Sequence, residues 1–74
     1  MVIRSKFTNQ LYSDDDDDYV FFGNMAQSAF YYSKGANLVD IFVRNGKWVF
    51  VFPRKDHLKY VNEWNKRKEE IEKK

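Results

Sequence analysis

Cysteine is absent from this chain of 74 residues, and proline and histidine occur once each, as Pro53 and His57. Without cysteine there is no disulfide framework and no thiolate metal site, a composition that suits a reducing compartment. A single histidine leaves no zinc spacing and no second imidazole, and His57 stands beside Asp56 where a satisfied or solvent-exposed surface histidine is the simplest reading. Three glycines, Gly23, Gly35 and Gly46, are too dispersed for a P-loop or a dinucleotide fingerprint. No stretch approaches the roughly 18 apolar residues of a membrane span. The opening Met-Val-Ile-Arg-Ser-Lys lacks the apolar run of a signal peptide. A cytoplasmic protein is the expectation, with no enzymatic activity and no cofactor.

What the chain does have is aromatic residues, at 19% of its length. Each buries a large area, so an aromatic core is expected to stabilise a domain near the lower size limit for a single core. The centre of the design is Val39 to Phe52, where two β-branched and aromatic runs flank Asn45-Gly46. Asn-Gly suits a type I′ turn, which needs φ > 0 at both central residues. A two-residue loop fixes the register: Arg44 faces Lys47, Val43 faces Trp48, Phe42 faces Val49, Ile41 faces Phe50, Asp40 faces Val51 and Val39 faces Phe52. Alternation then places Val39, Ile41, Val43, Trp48, Phe50 and Phe52 on an inner apolar face. The outer face carries Asp40, Phe42, Arg44, Lys47, Val49 and Val51.

Around this hairpin the signals are local. Val2 to Phe7 reads as a short strand, or Phe7 to Leu11 as a helical turn capped by Thr8. Tyr19 to Phe22 reads as a third strand or a core plug. Asn24 is a good N-cap for a helix running to Lys34, closed by Gly35. Ala26, Ala29, Phe30 and Ser33 would form its inner face. Pro53 stops the second hairpin strand. A final helix starts between Arg54 and Asp56, with Asp56 as candidate N-cap and Leu58, Val61 and Trp64 as its apolar stripe. Glu63 with Arg67, Lys66 with Glu70 and Glu69 with Lys73 are spaced to pair along it. The fold class is therefore α+β, an antiparallel hairpin under two helices in two layers, as a single domain. Residues 1–18 form an arm with an acidic run, and residues 66–74 a solvated tail.

The stretch from Asn24 to Trp64 resembles a family of very small bacteriophage and bacterial proteins of unknown function. The resemblance rests on Asn24, Lys34-Gly35, Leu38 to Ile41, Asn45 to Lys47 and Phe50 to Phe52. It covers a little over half of the chain. It implies a phage or mobile-element origin and a bacterial host, with no activity to carry over.

Charge is segregated within a net +2. Up to Phe22, Arg4 and Lys6 stand against five aspartates, a net −3; from Gly23 on, eleven basic residues stand against six acidic ones, a net +5. Asp14, Asp15, Asp16, Asp17 and Asp18 read first as a solvated loop. They lack an EF-hand pattern, because Tyr19 occupies the glycine position. In extended form, carboxylates on one side recur about every 6.6–7 Å, a spacing suited to a basic groove built for phosphates. The functional reading is thus a non-enzymatic accessory protein that binds a host protein through this run and Tyr19, mimicking nucleic acid to inhibit a nuclease or similar factor. Phe42, Val49 and Val51 form a second surface, covered either by Tyr19 to Phe22 or the N-terminal arm, or by a homodimer partner. The alternative reading is nucleic-acid binding by Arg54, Lys55, Lys59, Lys66, Arg67 and Lys68.

Overall fold

The computed structural model describes residues 2–13 and 17–72, the last three by backbone alone. Asp14, Asp15 and Asp16 of the acidic run lie outside the described residues, as does Lys73. The elements run β1 (Val2–Arg4), β2 (Leu11–Ser13), β3 (Tyr19–Phe22), α1 (Met25–Ser33), β4 (Asp40–Arg44), β5 (Lys47–Pro53) and α2 (Arg54–Glu72). The fold is α+β, with a three-stranded antiparallel sheet ordered β3-β5-β4 and a separate antiparallel pair β1-β2.

The sheet is built on the reversal at Asn45 and Gly46, whose φ values of 54° and 76° suit the I′ geometry. Five expected pairs form, from Arg44 opposite Lys47 to Asp40 opposite Val51. The sixth does not. The Val39 N–H donates to the carbonyl of Val51 (2.8 Å), the residue that already faces Asp40. Two residues of one strand oppose one of the other, as in a β-bulge. Val39 consequently leaves the expected inner face and is buried with Val51 and Tyr12 on the opposite one. Tyr19 to Phe22 is the third strand, with Val20 opposite Phe52 and Phe22 opposite Phe50.

Both helices lie against the face made by Val20, Phe22, Phe50 and Phe52. Helix α1 is capped by the Asn24 side chain, which accepts the Gln27 N–H (3.0 Å). It ends in paired bonds from Gly35 N–H to the Tyr32 carbonyl and from Ala36 N–H to the Tyr31 carbonyl, with Gly35 at φ 93°. This is a Schellman closure, and only glycine adopts that backbone cheaply. The buried face of α1 differs from expectation: Ser28, Phe30 and Tyr31 are buried while Ala26 and Ala29 are exposed. Tyr31, with no exposed surface, outweighs the alanines because its ring buries more area and its hydroxyl is hydrogen-bonded.

Helix α2 starts directly after Pro53, so Asp56 lies in its first turn and not at its cap. There the carboxylate accepts the Asn37 N–H (2.8 Å), which ties the helix to the segment leading into β4. Tyr60 and Trp64 face the core, with Trp64 5.5 Å from the Phe30 ring, whereas Leu58 points outward. Glu63 meets Lys34 across the helix pair (3.3 Å) instead of Arg67, which lies over Phe30.

The other face of the sheet is covered from within the chain by the β1-β2 hairpin. Tyr12, Val39 and Val51 form its core, joined by Ile3, Tyr19, Phe21 and Phe42. The fastening is polar. Asp40, 5% exposed, accepts the Ser5 hydroxyl (2.6 Å), the Tyr12 hydroxyl (2.5 Å) and the Ile41 N–H (2.8 Å). Ser5 Oγ in turn accepts the N–H groups of Phe7 and Thr8 at 3.0 and 2.9 Å, shaping the connection between β1 and β2. The segment 1–18, expected as an arm, therefore contributes a docked hairpin over residues 2–13.

Asp40→Ala leaves two buried hydroxyls without their acceptor, so urea unfolding should report a loss of about 3 kcal/mol. Ser5→Ala and Tyr12→Phe should each cost about half as much, and the double variant less than their sum, because the two share one acceptor. Additive, sub-kilocalorie losses would contradict this junction.

Candidate functional site

Three surfaces carry the candidate residues. At the start of β3, Asp17 and Asp18 are exposed and Tyr19 is half-buried, edge-on to Tyr12 with ring centres 5.9 Å apart. Arg54, expected to contact phosphates, holds this segment instead. Its N–H donates to the Asp18 carbonyl (2.6 Å) and its Nε–H to the Asp17 carbonyl. Because the anchor grips main-chain oxygens, the Asp17 carboxylate stays outside the contact. The bases at the start of α2 are thereby brought beside the acidic segment.

The remaining basic candidates are spread along α2. Arg67 lies over the Phe30 ring (5.4 Å) and Lys59 over Tyr60 (5.4 Å). Lys55, Lys59 and Lys66 are exposed and, at 100° per residue, fall within about 40° of one another around the axis. Lys68 is exposed on another side.

The outer hairpin face is divided. Val51 has no exposed surface and is closed to any partner, whereas Phe42 and Val49 are half-buried. Phe42 lines a cleft of about 360 Å3 between the two hairpins, together with Ile3, Tyr12, Arg4 and Arg44. Arg44 stacks over its ring at 5.1 Å.

The surface that pattern reading missed is the far end of the expected inner face. Val43 and Trp48, directly opposite each other, are 56% and 53% exposed. Alternation assigned them correctly to the helix side, but no helix reaches them. Nine residues of α1 span about 13 Å, while seven residues of β5 span about 23 Å. Helix α2 is longer, but its inward contacts run through His57, Tyr60 and Trp64, at the other end of the sheet from the hairpin tip. Among the described residues no group of three or more His, Asp or Glu is placed to hold a metal ion.

His57 is half-buried and joined to the core. Gln27 Nε2–H donates to the Tyr31 hydroxyl (3.0 Å), leaving the phenolic proton for His57 Nδ1 (2.9 Å), with Phe22 packed on the imidazole at 5.2 Å. This assignment needs a neutral imidazole carrying its proton on Nε2. Burial lowers the His57 pKa, and the nearby Arg54 lowers it further; burial raises that of Tyr31, partly offset by the Gln27 hydrogen bond. The unfolded chain therefore takes up the imidazole proton more readily than the folded one. Stability due to this network is fully present above pH 6.5 and declines as the pH falls through the lowered folded value. The difference in unfolding free energy between wild type and His57→Gln should shrink over that interval; a difference that grows on acidification would reverse the assigned sign.

Comparison with protein-family models, with curated proteins and with solved structures finds no match to this chain.

Proposed function

We propose that the chain is a non-enzymatic binding protein, an accessory factor of phage type that engages a host protein. The observation that carries this reading is the Val43–Trp48 pair at the hairpin tip, apolar and more than half exposed on a face otherwise given over to the core. Tryptophan in such a position suits an interface anchor, where one buried aromatic dominates affinity. Arg44 and Lys47, the next pair toward the turn, are exposed on the opposite face of the strands, where Arg44 lies over Phe42. The acidic segment, of which Asp17 and Asp18 lie at the opposite end of β5, adds a second contact for a basic groove on the same partner. Carboxylates presented there imitate phosphates, which is why a nucleic-acid-binding factor is the favoured target class.

Nucleic-acid binding is the second reading, supported by the lysine stripe of α2. It is the weaker one, since Arg54 and Arg67 are engaged within the fold and the acidic segment lies beside the helix start.

Capture from bacterial lysate with three baits separates these readings. Trp48→Ser should weaken retention of the partner about thirtyfold, equivalent to about 2 kcal/mol. Conversion of Asp14 to Asp18 into asparagine should remove the salt sensitivity of the remainder. Retention unaffected by either change, with DNA mobility shifts that weaken steeply as salt rises, would instead favour the lysine stripe.

A further inference from the structure

The three-stranded sheet has two edges, β4 and β3, and they are finished differently. A two-residue hairpin makes Arg44 and Lys47 a hydrogen-bonded pair, and such pairs alternate along an antiparallel ladder. On β4 the peptide groups that turn away from β5 are therefore those of Ile41 and Val43. This side is partly occupied: the Thr8 hydroxyl donates to the Val39 carbonyl just before β4, and the Asp40 carboxylate takes the Ile41 N–H (2.8 Å). Ser5 and Tyr12 hold that carboxylate in place.

The same parity on the other side gives Val20 and Phe22 to Phe52 and Phe50. It turns the N–H and C=O groups of Tyr19 and Phe21 outward, and among the described residues none of the four has a hydrogen-bond partner. Tyr-Val-Phe-Phe carries no charge, no proline and no bulge, so the usual protections of an edge strand are missing. All four side chains are only half-buried.

We infer that this edge pairs with the β3 edge of a second copy of the chain, joining two sheets into one of six strands. A two-fold axis at Val20 sets the register. Tyr19 of each copy then exchanges both main-chain bonds with Phe21 of the other, making four hydrogen bonds and two cross-strand aromatic pairs. Charge favours the same register. The turn that carries Asp17 and Asp18, immediately before β3, then lies toward the end of β3 in the second copy, where Gly23 and Asn24 lead into its α1. That helix is capped by the neutral Asn24 side chain and has no acidic residue in its first turn, so its positive end carries no compensating charge. The two turns leave the shared ladder at opposite ends, because the paired strands run antiparallel. Asp17 and Asp18 of each copy thus lie toward the other copy's helix and away from their counterparts. A foreign peptide could use the same hydrogen bonds, but only a second copy brings this charge arrangement with it.

Sedimentation of the full chain over a concentration series, up to millimolar, should show a monomer–dimer equilibrium. In that series the Tyr19 and Phe21 amides should exchange more slowly as the dimer fills. A synthetic chain N-methylated at the Phe21 amide keeps every side chain and every bond to β5, and its fold can be checked by circular dichroism. It should raise the dissociation constant at least about tenfold. A chain that stays monomeric throughout would overturn the inference, as would a dimer indifferent to the methyl group. Protection of the two amides in a monomer, appearing only on addition of an extended peptide from another protein, would assign the edge to a foreign strand and likewise overturn it.

Discussion

One buried carboxylate holds the molecule's two halves together. Asp40 sits where β4 enters the sheet and accepts from Ser5, Tyr12 and its own neighbour Ile41. A two-stranded hairpin of three-residue strands has little stability alone. Docked through Asp40, it covers Val51, Val39 and Phe21, which would otherwise face water. Burying a charge is costly unless hydrogen bonds satisfy it, and three donors from separate parts of the chain do so here. The Ser5 oxygen serves twice, ordering the turn at Phe7 and Thr8 while its proton goes to Asp40. The junction also blunts the β4 edge, so a single device supplies both packing and protection.

Much of the architecture could be read from local signals. Asn45-Gly46 fixed the turn and, through it, five ladder pairs. Asn24 and Gly35 marked the ends of α1 because caps are written in one or two residues. Tyr19 to Phe22 was legible as a third strand or a core plug, and it is the third strand; its place beside β5 was not legible. What escaped depends on contacts far apart in sequence. Nothing near Asp40 announces that Ser5 and Tyr12 will reach it, and counting from the turn cannot foresee the bulge at Val39. Tyr31 was not among the residues assigned to the inner face of α1, and its hydroxyl is satisfied by Gln27 and by His57, the latter 26 positions away.

The candidate surfaces were less legible than the fold, and for a related reason. Periodicity assigns a side chain to a face but does not say whether anything covers that face. Val43 and Trp48 have the pattern of core residues and are exposed because α1 is short and the inward contacts of α2 run through His57, Tyr60 and Trp64. Val51 has the pattern of a surface residue and is buried by the N-terminal hairpin. The basic residues at 54 and 67 looked like phosphate contacts in sequence, yet one anchors the acidic segment and the other lies over a ring. A chain this small has few residues to spare, so charges become fasteners and part of its apolar surface remains uncovered.

The Tyr12 hydroxyl proton reports on the Asp40 junction most directly. In the nuclear magnetic resonance spectrum it should appear as a separate, downfield resonance, slow to exchange with water and showing cross-relaxation to Ser5 and β4. A hydroxyl that exchanges at the rate of an exposed tyrosine, with no contact detected between residues 2–13 and Val39 or Asp40, would contradict the account.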